Sequence, residues 1–306
     1  LAHAAAARHL LPRFAAQGLE MTPPIRPRAA RALAAVAPRL PAGARMEARA
    51  DALVFSPAGA PKGRVALHES CVMEALFPRV HHETVRLLVL AGCEVVVPRA
   101  QTCCGALHAH AGLRRDAKRL ARANGAAFAG DCEFVVSHSA GCGAALREGG
   151  HLLAGEPSAA AAESLATRAR DVSEVLAHFG LPPAPPRPAP LRVAYHDACH
   201  LAHAQRVREA PRRLLRALPG VRFVELPDSD WCCGSAGTYN LTHPDMADAQ
   251  LAGKLAGIAR VAPDVVVASN PGCLLHMHRG LAGRAGAPRL LHLVELLGEA
   301  YPAPGE

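Results

Sequence analysis

The sequence predicts an α/β protein made of two pseudo-symmetric repeats, each a short parallel sheet flanked by helices, after an N-terminal helical or irregular arm. Three observations predict it: one segment recurs in register, short apolar runs alternate with helix-like stretches, and cysteines fall at matching points of that rhythm. Repetition is the strongest of the three. Arg64-Val-Ala-Leu-His-Glu-Ser-Cys71 aligns with Arg192-Val-Ala-Tyr-His-Asp-Ala-Cys199 at an offset of 128 residues. Cys103-Cys104-Gly105 aligns with Cys232-Cys233-Gly234 at 129, and Gly141-Cys142 with Gly272-Cys273 at 131.

Each copy reads alike. Residues 64–69 and 192–197 are β-rich runs that end near the first cysteine, and helical stretches follow near 79–91 and 206–217. Glu94–Pro98 and Arg222–Leu226 are second strands entering the Cys-Cys-Gly turns. Long helices are expected at about 108–129 and 244–261, where Ala, Leu and Arg recur at helical spacing. Phe134–Ser137 and Val265–Ala268 are nearly all apolar, as buried parallel strands are. Strands alternating with helices give the α/β class. The expected organisation is an arm over 1–60, a first repeat over 61–150, a helix (about 160–179) and linker over 151–190, and a second repeat over 191–306. Six prolines between Leu181 and Pro190 stiffen that linker.

Composition narrows the function. The 306 residues hold ten cysteines, far below the density of a disulfide scaffold, and no export signal precedes them, so reduced thiols in the cytoplasm are expected. No apolar run approaches the roughly 20 residues of a membrane span, which leaves peripheral attachment to a membrane as the only membrane role expected. The net charge of +8 does not imply nucleic acid: the arginines are scattered among acids, and three tyrosines, one tryptophan and seven phenylalanines offer little for base stacking. An acidic protein partner fits the excess better. The chain opens on Leu1, and an N-terminally truncated fragment is the expectation that follows.

Each copy supplies four thiols at predicted strand C-terminal ends: Cys71, Cys103, Cys104 and Cys142, then Cys199, Cys232, Cys233 and Cys273. In open α/β sheets ligands collect at that edge. Helices follow, and their N-terminal amides favour thiolates and anionic sulfide. Gly105 and Gly234 allow a tight turn and close backbone approach. The chain lacks the Cys-x-x-Cys knuckles of structural zinc sites, and adjacent cysteines reach one small ion awkwardly. Four thiolates match the complement of an iron–sulfur cluster, with [4Fe-4S] the expected type; zinc in one repeat stays open. Cys93 and Cys132 have no counterpart in the other copy and are read as core. His68 and His196 are expected to hydrogen-bond near the sulfurs, His276 is the better extra ligand, and Trp231 is expected to shield the second site. No dinucleotide or phosphate-binding glycine motif is present, so flavin chemistry would belong to another subunit.

This order of Cys, Cys-Cys-Gly and a further Cys, used twice, resembles the cysteine-rich CCG domain. That domain occurs in glycolate oxidase iron–sulfur subunits, lactate-utilisation proteins, the anaerobic glycerol-3-phosphate dehydrogenase small subunit and the cysteine-rich subunit of heterodisulfide reductase. Pro227-Asp-Ser-Asp-Trp-Cys-Cys-Gly-Ser-Ala-Gly-Thr-Tyr-Asn-Leu-Thr-His-Pro244 and Ser139-Ala-Gly-Cys-Gly-Ala144 are similar to the glycolate oxidase type. The resemblance covers about 61–301. It implies a subunit relaying electrons from a flavin-binding dehydrogenase subunit toward a quinone-type acceptor, with the eight cysteines as ligands and without catalysis by the isolated chain. Proteins of this type also carry an N-terminal ferredoxin-like domain whose cysteine runs are missing here, which implies a separate ferredoxin-like domain or protein as partner. Where the heterodisulfide type has a fifth thiol, this chain has Ala145 and His276. A thiol/disulfide redox subunit of the heterodisulfide reductase kind and a zinc-stabilised, non-redox scaffold are the alternatives.

Overall fold

The computed structural model describes residue 36 and residues 39–303. The chain enters on an antiparallel pair, β1 (Arg45–Ala48) and β2 (Ala52–Ser56). The first repeat begins with β3 (Gly63–His68), α1 (Cys71–Leu76), α2 (Pro78–Leu90) and β4 (Cys93–Pro98). It continues through α3 (Ala106–His110), α4 (Arg114–Ala127), β5 (Phe134–Ser137), α5 (Ala140–Arg147) and α6 (Gly149–Leu152). It closes with α7 (Ala159–Arg168), β6 (Ala169–Asp171) and α8 (Val172–Phe179). The second repeat runs from β7 (Leu191–His196) through one π-helical turn (His200–Ala204), α9 (Glu209–Arg216) and β8 (Val221–Glu225). Then come α10 (Tyr239–Thr242), α11 (Pro244–Val261), β9 (Val265–Ala268), α12 (Pro271–Leu281), β10 (Arg289–His292) and α13 (Leu293–Ala300).

The sheets are ordered β1-β2-β4-β3-β5-β6 and β10-β9-β7-β8. Apart from the antiparallel β1 and β2, every pairing is parallel. The register repeats too: Val65 pairs with Val95 and Phe134, and Val193 pairs with Phe223 and Val265. Val65–Leu67 and Val265–Ala268 are buried, as expected of parallel strands with helices on their faces.

Three expectations change. The arm expected through residue 60 is, from residue 45, two strands of the first sheet; the expected helices before residue 36 lie outside the described residues. The single helix expected near 160–179 is two helices parted by β6. Asp171 forces the break, because its side chain accepts from the Ser173 amide at 2.9 Å while Glu174 Oε2 accepts from the Asp171 amide at 2.8 Å, a capping box that restarts a helix. The first sheet therefore runs beyond the boundary expected at 150. β10 and α13 repeat the device, with His292 and Glu295 as the box.

The two repeats share one apolar core and exchange their last helices. α13 of the second repeat packs on α2 of the first, and α8 of the first packs on α9 of the second. Buried Arg86 fixes the first contact: it pairs with Glu83 at 2.5 Å and donates to the Gly298 carbonyl at 3.0 Å. Gly298 leaves room for the Glu83 carboxylate, where a Cβ would collide. Four buried side chains of α13 (Leu293, Val294, Leu296 and Leu297) each gain about 1.5–3 kcal/mol by leaving water.

Three buried histidines lie along this seam. His292 Nε2 donates to the His138 carbonyl at 2.8 Å, its Nδ1 accepting from the Val294 amide, and His138 Nε2 lies 3.0 Å from His81 Nδ1. Burial pushes His81 down to about 3, His292 to about 4, and His138 well below its ordinary value of 6.5. Below pH 6.5 the unfolded chain therefore takes up protons that the folded chain refuses. Stability is full above that pH and falls toward pH 4, each histidine removing up to about 1.4 kcal/mol per pH unit. Chemical denaturation between pH 7 and pH 4 checks this; a flat midpoint would contradict it, and the double variant His81→Gln, His138→Gln is expected to flatten the slope.

Candidate metal centre

The Cys-Cys-Gly turns show why the sequence folds as it does here. After β4 the chain must reverse into α3, and Gly105 does so with φ of 84°; Gly234 does the same after β8 with φ of 93°. Both are left-handed, where a Cβ costs about 1–2 kcal/mol. In that conformation each glycine amide faces the sulfur two residues back, Gly105 N at 3.5 Å from Cys103 Sγ and Gly234 N at 3.3 Å from Cys232 Sγ. Helix starts present the other thiols. Cys71 opens α1, Cys142 and Cys273 are the third residues of α5 and α12, and Cys199 precedes the π-helical turn.

In the first repeat, Cys71 Sγ lies 3.7 Å from Cys103 Sγ and Cys104 Sγ lies 3.2 Å from Cys142 Sγ. In the second repeat the corresponding neighbours are Cys199 with Cys232 and Cys233 with Cys273. All eight predicted cysteines thus fall into two groups of four, and all ten cysteines are free thiols. Proton sharing follows the same pairs in both halves. Hydrogen bonds from their neighbours hold Cys103 and Cys142 below the ordinary thiol value, while Cys71 and Cys104 keep their protons and are raised. Cys232 and Cys273 are lowered and Cys199 and Cys233 raised for the same reason. Metal ligation requires thiolates, so a metal entering either quartet displaces the protons its thiols share.

The halves differ in what surrounds the sulfur. His68 is fixed by the Thr102 carbonyl, 3.1 Å from Nε2, as expected of a histidine bonded to backbone. Its counterpart His196 is buried with no backbone partner for its ring among the described residues, and a ligand atom of that ring, Cys233 Sγ and Cys273 Sγ all lie within 4.8 Å of one another. Sequence reasoning ranks His196 below His276; its position three residues before a repeat cysteine is the available signal. His276 instead has Nε2 3.3 Å from the Ala247 carbonyl and Nδ1 3.4 Å from Asn240. Trp231 is 65 % exposed and does not shield the site. Cys93 is core as expected, its thiol pushed up to about 12 by burial, and Cys132 packs at the rim of a smaller apolar cluster.

Matching helices secure the two turns by different chemistry. Asn124 on α4 accepts from the Thr102 amide at 2.9 Å and donates to the Cys103 carbonyl at 3.0 Å. On α11 the buried Lys254 donates to the Asp228 and Ser229 carbonyls, at 2.5 and 3.3 Å. Near Cys199, Asp197 is buried against Arg212 at 2.6 Å, whereas the matching Glu69 has no such partner and burial pushes it up to about 8. The second turn thus has a cationic side chain, Lys254, where the first has the neutral Asn124.

The residues fit a thiophilic metal centre. Eight soft donors converge without a competing disulfide, and buried His108 and His196 lie beside Cys103 and Cys273 with no other partner for their ring nitrogens among the described residues. Among the described residues, no three ligand atoms of the first quartet lie within 4.8 Å of one another, whereas His196, Cys233 and Cys273 of the second repeat do. A substitution pair tests the turns. Gly105→Ala meets only ordinary contacts and is expected to cost about 1–2 kcal/mol of strain; Gly234→Ala sets its Cβ on the Ala247 carbonyl oxygen and is expected to cost more. Denaturation midpoints check this, and equal losses would contradict it.

Comparison with known proteins agrees with this geometry. The chain is 38% identical over 276 residues to the probable glycolate oxidase iron-sulfur subunit of Bacillus subtilis, covering 88% of this chain and 62% of that protein. It is 32% identical to the glycolate oxidase iron-sulfur subunit of Escherichia coli (94% of this chain, 72% of that one) and 32% identical to lactate utilization protein A of Geobacillus thermodenitrificans (76% and 98%). Crystallographic coordinates of a hypothetical protein from Helicobacter pylori superpose with a TM-score of 0.55 at 12% identity, over 94% of this chain and 55% of that one, a likeness of fold. A cysteine-rich domain profile, CCG, matches residues 65–147 and again residues 193–278. With both repeats matched and the thiols of each gathered at one sheet edge, the chain belongs to the CCG cysteine-rich domain family.

Proposed function

We propose that the chain holds an iron–sulfur centre in each repeat and serves as the electron-transfer part of a flavin-dependent 2-hydroxy-acid dehydrogenase, with glycolate the first candidate substrate. The observation that carries the reading is the pair of sulfur quartets, four thiols at equivalent points of each sheet edge. The relatives named as glycolate oxidase iron-sulfur subunits support it. Such a centre, when bound, supplies one-electron storage and transfer. In this reading Cys71, Cys103, Cys104 and Cys142 hold one centre and Cys199, Cys232, Cys233 and Cys273 the other. The Gly105 and Gly234 amides steady bound sulfur. Substrate oxidation belongs to a flavin-binding subunit, and a ferredoxin-like domain or protein and a quinone-type acceptor complete the proposed chain. No described helix is long and apolar enough to cross a membrane, so contact with a membrane acceptor would be peripheral.

A second reading is kept for the second repeat, where the close grouping of His196, Cys233 and Cys273 also suits zinc. One experiment separates them. The chain purified without oxygen is expected to be brown and to hold iron with acid-labile sulfide; Cys104→Ser and Cys233→Ser are each expected to lose about half of the iron, and the double variant nearly all. Zinc in the second repeat predicts that Cys233→Ser loses zinc and no iron. A colourless wild-type chain containing only zinc would overturn the electron-transfer reading.

A further inference from the structure

The two quartets face one seam. The Ala140 amide, at the start of the helix that carries Cys142, donates to the Ser269 carbonyl at 3.0 Å, so α5 meets the turn that opens α12 and carries Cys273. Gln205 closes the seam from the π-helical turn, donating from Nε2 to the Ala140 carbonyl at 2.8 Å. Asn270 stands at the join. Its Oδ1 accepts from the Gly141 amide at 3.1 Å, and its Nδ2 lies 3.7 Å from Cys273 Sγ. Gly141 is the neighbour of Cys142. One side-chain amide therefore links the backbone of one quartet to the sulfur of the other.

The duplication shows that Asn270 is more than a helix cap. Its counterpart is Ser139, the residue before α5, whose side chain hydrogen-bonds Cys142 as that of Asn270 does Cys273. A serine suffices for that duty. Asparagine adds a second polar atom and the reach to use it across the seam. The two glycines leave the space, since a Cβ at Gly141 or at Gly272 would lie 3.4 Å from the Asn270 amide.

We infer that Asn270 is a positioning residue that couples the two centres electronically, closing a route from Cys142 through the Gly141 amide and the Asn270 side chain to Cys273. This rests on the reading that both quartets hold redox centres. Along that route one electron leaves one quartet as one reaches the other, and no bond is made or broken. Hydrogen-bonded paths of this kind carry electrons better than a gap, and an N–H donor to sulfur also raises the local reduction potential.

Two variants divide the functions. Asn270→Ser keeps a donor for Cys273, as Ser139 does for Cys142, but cannot reach Gly141. Asn270→Leu loses both bonds. In the metal-free full chain, hydrogen exchange at the Gly141 amide is expected to quicken about tenfold in both variants. In the anaerobically loaded chain, iron content is expected to hold in Asn270→Ser, while the magnetic interaction between the reduced centres weakens and electron equilibration between them slows. Asn270→Leu is expected to show the same loss of coupling, with the potential of the second centre lowered as well. Coupling at the wild-type level in Asn270→Ser, with the Gly141 amide exchanging faster, would overturn the inference; so would unchanged exchange at Gly141. Should the wild-type chain hold no redox-active centre, the parent reading fails instead, and the metal analysis distinguishes that case.

Discussion

The architecture depends on the exchange of last helices between the repeats. A sheet of four short parallel strands with helices on its faces buries little surface alone, and here each repeat covers its partner with the helix that follows its final strand. Arg86 anchors the contact made by α13, through Glu83 and the Gly298 carbonyl. Arg147 supports the one made by α8, pairing with Glu174 at 2.6 Å while donating to the Gln205 carbonyl at 3.0 Å. Both are charged groups with several partners in partly or fully buried surroundings, where removing one partner is costly and the intact set specifies geometry. Because the exchange fixes one repeat against the other, it also fixes how the two sulfur groups sit across the seam.

Within that frame the two halves are alike in sulfur and unlike in charge. The same backbone devices place the thiols in each repeat: a left-handed glycine after the paired cysteines, and a helix start at the first and last. The surroundings then diverge. Asn124 is neutral where Lys254 carries a charge, and Glu69 lacks the arginine that Asp197 has. A duplicated sequence thus sets two like sulfur groups in unlike electrostatic surroundings.

Much of this is legible in the residues alone. The repeated strands, the Cys-Cys-Gly turns and α11 fall where sequence pattern places them, because apolar runs and glycine turns act locally. The misses involve short or long-range features. β6 has three residues and too little pattern to read, although Asp171-Val-Ser-Glu174 is a readable capping signature. β1 and β2 join the sheet through the pairing of β2 with β4, a contact far along the chain. His196 and His276 look alike as residues near cysteine; only the fold shows that one ring sits by sulfur and the other is held by Ala247 and Asn240. Asn270 gives no local sign, since its second bond crosses between repeats.

The crossed helices also bear on how such a chain could arise. A solitary repeat would leave the face of its first long helix bare and its last helix without a seat. Two identical copies meeting head to head would satisfy both needs at once, each lending the other what it lacks. Gene duplication and fusion then ask for no new packing, only a tether, and the proline-rich stretch from Leu181 to Pro190 is a tether of that kind. Once fused, the copies were free to differ, and a serine in one could become an asparagine in the other.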